Sequence, residues 1–196
     1  APNNAVVVVV GDVEPEAVYQ SVLEHFGPLK AQKIIPSKPR PETAQKGTKT
    51  VTLKSAKTRV PYLMMSYKAP AIVDTVGENA KVEEWEVYAL DVLSSTLGGG
   101  GSARLPKELV RNKRLATQAG ASYSSGSRLP TLFSFSASPT PKHSLDDLEA
   151  GIREEIKRLQ NEAPTSAELD RIKTQVVADT IYERDSMFYQ GLIIGS

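Results

Sequence analysis

The stretch STLGGGGSARLPKELVRNKRLAT, residues 95–117, decides how this chain is put together. Four consecutive glycines separate an amphipathic helix ending near Leu97 from a second helix that Ser102, a good N-cap residue, can open. Pro106 falls within the first turn or so of that second helix, where its missing N–H costs little. Two helices in immediate succession do not belong to a strict strand–helix alternation. The corner therefore argues against a doubly wound parallel sheet.

The same pattern extends outward in both directions. Residues 83–97 form the preceding helix, with Trp85, Tyr88 or Ala89, Val92 and Leu93 inward. Residues 115–126 and 131–139 read as two strands joined by a turn from Gly126 to Pro130. Ser144 opens a helix with Leu148, Ile152, Ile156 and Leu159 on one face. Thr165 and Glu168 make a capping box for the last helix, which carries Leu169, Ile172, Val176 and Thr180. Upstream, AVVVVVG at residues 5–11 is a continuous β-branched run that predicts a strand buried on both faces. A helix follows from Pro15 until Gly27 and Pro28 stop it, with Val18, Val22 and Phe26 as its apolar stripe, widened by Tyr19 and Leu23. Residues 31–47, rich in proline and polar side chains, read as an extended connection, and strands are expected at 49–55 and 62–68. The order β-α-β-β-α-α-β-β-α-α, with helices grouped, predicts an α+β fold in which a mainly antiparallel sheet packs against helices.

Composition narrows the function classes. With 196 residues, 40% hydrophobic and 24% charged, the chain suits one globular domain. A net charge of +1 does not supply the basic excess of a nucleic-acid surface. Lys107, Arg111, Lys113 and Arg114 cluster, but Glu108 interrupts them and the pattern reads as a solvated helix end. The lack of cysteine removes disulfides and thiolate metal sites. No apolar run approaches the roughly 20 residues of a bilayer-spanning helix, so no transmembrane segment is expected. The chain opens without methionine or a signal-like region and closes on the apolar MFYQGLIIGS, so it is expected to be one domain, residues 1–196, of a longer polypeptide, truncated at its C-terminal end.

The residues themselves offer little catalytic chemistry. A P-loop needs lysine and a hydroxyl residue directly after its last glycine, whereas Ser102-Ala103-Arg104 follows here. A GxGxxG signature needs a preceding strand, and here a helix precedes. VVVVVGDVEPE lacks the further glycines that would let the backbone approach a pyrophosphate. His25, at a helix end, and His143, just before Ser144, have no second histidine within a turn, so neither suits a zinc site. No GxSxG elbow is present. No catalytic residue and no metal ligand is therefore expected in this chain.

Four segments in order carry a resemblance: VVVVVGDVEPEAVYQSVLEHFGPL, LGGGGSARLPKEL, RLATQAGAS and EEIKRLQNEAPTSAELDRIKTQV. Together they resemble the C-terminal domain of the pitrilysin/insulinase-type zinc peptidases, of the mitochondrial-processing-peptidase-like, bacterial two-subunit kind, over nearly the whole chain. The family pattern is a hydrophobic strand with Gly-Asp, a helix ending in Phe-Gly, LGGG-x-S-x-RLF-x-ELRE-x-x-GLAY, and a helix before a Pro-Thr turn with Glu-Leu. The resemblance implies a LuxS/MPP-like metallohydrolase fold. It also implies an N-terminal domain outside this chain, whose HxxEH helix and downstream glutamate hold zinc in the full-length enzyme and whose HxxEH glutamate is the general base. Paired family subunits, as a hetero- or homodimer, then close like a clamshell on an extended peptide.

The family's substrate-binding arginine and tyrosine align with Val110 and Thr117, both departures, while Pro106 replaces the usual phenylalanine and Arg111 lies one residue on. Valine cannot hold a carbonyl or carboxylate, and threonine lacks a phenol's reach and acidity. In two-subunit bacterial members the subunit carrying HxxEH lacks that pair, so this resemblance implies the zinc-bearing subunit. Gly98, Gly99, Gly100, Gly101, Ser102 and Arg104 are the expected peptide contacts on the chamber wall; Arg104 could equally be a helix-start ion-pair partner. The alternative functions are a catalytically inactive assembly subunit of the same family and a stand-alone peptide- or anion-binding module. If the source is bacterial, an exported or periplasmic location is favoured over a cytoplasmic one.

Overall fold

The computed structural model describes residues 2–36, 38, 45–77, 80, 82–129 and 131–195. It divides into two compact units, Leu53–Gln175 and Ala1–Thr52 with Val176–Ser196. The helices, in chain order, are α1 (Pro15–Phe26), α2 (Glu84–Gly98), α3 (Leu145–Asn161), α4 (Ser166–Asp185) and α5 (Met187–Gly195), and the strands are β1 (Leu63–Ala69), β2 (Ala116–Ser122) and β3 (Thr131–Pro139). The class is α+β with an antiparallel sheet, as the grouped helices predict.

Within residues 53–175 the sheet runs β1-β3-β2, with β3 antiparallel to both neighbours. The sequence of β3, TLFSFSASP, alternates apolar and hydroxyl residues. Phe133, Phe135 and Ala137 turn inward and are buried. On the opposite face Ser66 and Ser134, paired in register, share a hydrogen bond of 2.9 Å between their hydroxyls. Leu97, Leu105, Leu109, Leu148 and Ile152 complete the core beneath the helices. α3 is held at its start by Ser144: its Oγ accepts the Asp147 amide at 3.1 Å while the Asp147 carboxylate accepts the Ser144 amide at 2.8 Å. Its predicted stripe is present, with Leu148 and Ile152 fully buried and Ile156 and Leu159 partly so.

α2 is turned relative to expectation. Val87, Thr96 and Leu97 are buried, whereas Trp85 is 66% exposed and Tyr88 49%. EWEVYALDVLSSTL is apolar on more than one side, so two inward phases fit it, and the packing selects the one centred on Val87 and Leu97.

Among the described residues, neither 5–11 nor 49–55 joins the sheet, so two strands of the expected order are replaced by unpaired chain, and α5 is added. β-branching favours an extended backbone, but a strand also needs a partner ladder. Here Val8 and Val10 lie against Gly195 and Gly191 of α5, within the same unit, and Val6, Val7 and Val9 stay more than half exposed. In α1, Val18 and Val22 are half-buried, while Tyr19, Leu23 and Phe26 are exposed. In α4 only Ile172 of the expected stripe is buried. No helix among the described residues is long and apolar enough to cross a membrane.

Candidate functional site

The glycine-rich corner is built by packing at one end and by backbone twist in the middle. Gly98 closes α2 against β2. A Cβ there would come 2.6 Å from the Ala121 carbonyl oxygen and 2.8 Å from its Cα, and closer still to its amide nitrogen. Gly100 has φ +93°, a conformation that side chains other than hydrogen rarely tolerate. The Gly99 amide donates to the Ser95 carbonyl at 2.9 Å, the Gly100 amide to Gly98 at 2.8 Å and the Ala103 amide to Gly100 at 3.0 Å. Those three donors serve the corner itself. Gly101 and Ser102 are exposed, and an added Cβ at Gly101 meets nothing within 4 Å.

Ser102 does not cap the next helix as its residue type suggested. The segment Pro106–Asn112 is a π-helix whose N-cap position is Leu105, with no side-chain hydrogen bond; its wide turn is closed by the Lys113 amide donating to the Glu108 carbonyl at 2.8 Å. Arg114 follows with φ +55°, and β2 opens with an irregular register in which Thr117 is passed over between Ala116 and Gln118. Three departures from regular backbone thus fall between residues 106 and 117. Val110 is half-buried against the core, while Thr117 is exposed and its hydroxyl donates to the Ser138 carbonyl at 3.3 Å. Arg111 is exposed.

Arg104 is turned inward. Its Nε donates to Glu168 Oε1 at 2.8 Å and its Nη2 to Glu168 Oε2 at 3.0 Å, a bidentate pair with the arginine side chain only 12% exposed. Longer bonds of 3.4 Å reach the Glu162 and Ala163 carbonyls. Glu168 Oε2 also accepts the Thr165 amide at 2.8 Å. Hydrogen bonding from Arg104 is the main reason its carboxyl is held at about 2, well below the ordinary carboxylate range. Nearby, Glu155 of α3 is buried and its Oε2 has no hydrogen-bond partner; Arg158 Nη1 stands 3.9 Å from it and 3.8 Å from Glu108 Oε1. Burial pushes the Glu155 carboxyl up, against the pull of Arg158.

Of the sequence candidates, the structure gathers Gly98 to Arg104 at one corner, with Val110 in the π-helical segment after it and Thr117 in β2. The Arg104–Glu168 pair spans 64 residues, and the buried Glu155 gave no sequence signal beyond an acidic residue within an amphipathic helix. An apolar groove of about 600 Å³ between α2 and α3, lined by Leu90, Leu93, Leu97, Phe133, Phe135 and Ile156, was also not visible in the sequence. Zinc fits none of this. Among the described residues no three His, Cys, Asp or Glu side chains converge on a metal position. His25 Nδ1 lies 2.9 Å from the Ser21 carbonyl, and His143 Nδ1 lies 3.7 Å from Asp147 Oδ2.

Comparison with known proteins places these features in context. The family model described as "Peptidase M16 inactive domain" matches residues 1–176. The zinc protease PqqE of Helicobacter pylori (strain ATCC 700392 / 26695) is 33% identical over 187 residues, which is 94% of this chain and 40% of that protein. A crystal structure of a protease from Helicobacter pylori superposes with a TM-score of 0.75 at 31% identity, covering 95% of this chain and 43% of the other. The chain thus spans about two fifths of the length of these relatives.

Proposed function

Because the chain belongs to the peptidase M16 inactive-domain family, we propose that it is the non-catalytic wall of a zinc peptidase's peptide chamber. The match over residues 1–176 is the observation that carries this reading. Zinc, its ligands and the general base belong to an N-terminal domain of the longer protein, where the metal lowers the pKa of the attacking water. This chain's part is to bind and orient. Residues 1–196 act as one C-terminal-type domain, and Gly101 and Ser102, the exposed tip of the corner, offer backbone polar groups to an extended peptide. Val110 and Thr117 hold no carbonyl or carboxylate in the way an Arg–Tyr pair would, which supports assignment to the zinc-bearing subunit, paired in a clamshell with a second family subunit that carries the pair.

The test is cross-linking in the full-length protein. With a photoreactive amino acid in place of Ser102, an extended peptide should be captured, and unlabelled peptide should compete it away. The same group at Lys142, an exposed position beyond β3, serves as the control. Equal capture at both positions would remove the corner from the chamber.

A further inference from the structure

We propose that the Arg104–Glu168 pair is a positioning latch: it fixes the glycine corner and the π-helical segment after it against the joint between α3 and α4, and thereby sets the shape of the wall that meets the peptide. The proposal rests on the wall reading given above, and it goes beyond it by naming residues that touch neither peptide nor metal.

The corner's own hydrogen bonds fix its backbone locally, but its exposed tip makes no side-chain contact that would hold it against the rest of the fold. Gly100 and Gly101 are backbone without side chains to lock, and Gly101 has no heavy atom within 4 Å of its missing Cβ. Pro106–Asn112 is held by π-type bonds, a rare helix form. Ala103, Leu105 and Leu109 seat this stretch in the core, and an ionic grip at Arg104 ties it to a second element. Arg104, two residues before Pro106, makes four hydrogen bonds to the α3–α4 joint: two to Glu168 and one each to the Glu162 and Ala163 carbonyls. The Glu162 carbonyl is that of the C-cap of α3, where backbone acceptors lack helical partners, the Ala163 carbonyl follows it in the connection, and the carboxylate belongs to the capping box of α4. One guanidinium therefore reads the end of one helix and the start of the next at once. Its planar fork suits that task, and lysine, a single point of charge, does not reproduce it.

A second grip lies midway along the segment. Glu108 Oε1 is 3.8 Å from Arg158 Nη1, and the same nitrogen is 3.9 Å from Glu155 Oε2, the buried oxygen without a hydrogen bond. Arg158 is also tied by its Nε to Glu162 at 3.1 Å. Arg158 is thus shared among three carboxylates and grips Glu108 only loosely. The close, bidentate, largely buried contact is the one at Arg104, so the latch is assigned there. Loss of Arg104 frees the corner while leaving the core residues Leu105 and Leu109 in place, so the expected effect is on the wall's geometry rather than on the fold.

The experiment uses the full-length protein with Arg104→Lys, Arg104→Glu, Glu168→Arg and the double exchange Arg104→Glu with Glu168→Arg. Two readouts are taken: peptide hydrolysis, resolved into KM and kcat, and amide hydrogen exchange across residues 98–117. The latch predicts that Arg104→Glu raises KM about tenfold with kcat within about twofold, as expected for loss of a charge-assisted bidentate contact that shapes binding and not chemistry. Exchange at 98–117 should quicken by a similar factor while the exchange of β3 stays as it was. Arg104→Lys should show the same pattern at smaller amplitude, and it carries the test if the charge reversal does not fold. The double exchange should recover part of both effects. Unchanged exchange at 98–117 in Arg104→Lys and Arg104→Glu, or a double exchange no better than the worse single variant, overturns the latch. Quickened exchange with unaltered KM keeps the latch as a clamp on the corner and overturns its role in shaping the wall. If the unsubstituted protein, supplied with its partner subunit, cleaves no peptide, the wall reading fails, and hydrogen exchange still decides the latch by itself.

Discussion

Replacing Gly98 by alanine asks whether the first glycine of the corner is there for packing. The new methyl carbon would stand 2.6 Å from the Ala121 carbonyl oxygen and 2.8 Å from its Cα, where ordinary contact begins at about 3.4 Å. The obstacle is backbone, pinned by the pairing of Ala121 with Phe135 on the central strand, so it cannot swing aside as a side chain would. The end of α2 must lift from β2 by several tenths of an ångström or more, opening the packing of Leu97 beside it. Overpacking of this kind costs about 1–3 kcal/mol, and alanine's better helix propensity returns about 0.5–1 kcal/mol. The net loss should be about 1 kcal/mol, or roughly 2–4 °C in Tm for a chain of this size. Gly101→Ala is the internal control: nothing lies within 4 Å of its Cβ position, so its stability should change by no more than about 0.5 kcal/mol. Thermal and urea unfolding of both variants, followed by circular dichroism, measure the difference. If Gly98→Ala melts with the parent chain, or if Gly101→Ala is the more damaging of the two, the packing argument is refuted.

Further predictions concern titration and capping. Glu155→Gln keeps the shape but removes a buried charge whose carboxyl is pushed up by burial. A raised carboxyl contributes stability below its ordinary range and loses it as pH rises, so the variant should be more stable than the parent at pH 8 and match it near pH 4 in urea titrations at both pH values. The sign is opposite at Glu168, held at about 2 by Arg104. Its stabilising effect is present above the ordinary carboxylate range near 4.5 and lost as pH falls towards 2, and Glu168→Gln should abolish that part of the acid transition in an unfolding titration. Ser144→Ala removes the cap of α3 and should cost about 1 kcal/mol in urea unfolding at neutral pH.

Most local signals in the sequence translated directly into structure, the exception being Ser102, which does not cap the segment after it. The helix start at Ser144, the capping box at Thr165, the strand at 131–139 and the stripe of α3 each depend on residues within a few positions of one another. What else went astray depended on partners. The valine run at 5–11 has the propensity of a strand, but the sheet offers it no ladder, and α2 carries enough apolar residues to fit two inward phases until β2 and β3 choose one. At the candidate site, the glycines and Arg104 could be singled out from their residue types. Their division of labour could not: the approach of Gly98 to Ala121, the φ of Gly100 and the reach of Arg104 to Glu168 across 64 residues are properties of the folded chain.

The central claim, that this chain shapes a chamber whose chemistry resides elsewhere, is tested most directly by assaying the 196-residue chain beside the full-length protein for bound zinc and for cleavage of an extended fluorogenic peptide. The account predicts about one zinc per molecule and chelator-sensitive cleavage in the full-length protein, supplied with its partner subunit where one exists, and neither in the chain alone. Stoichiometric zinc on the isolated chain, together with cleavage that a chelator abolishes, would contradict it.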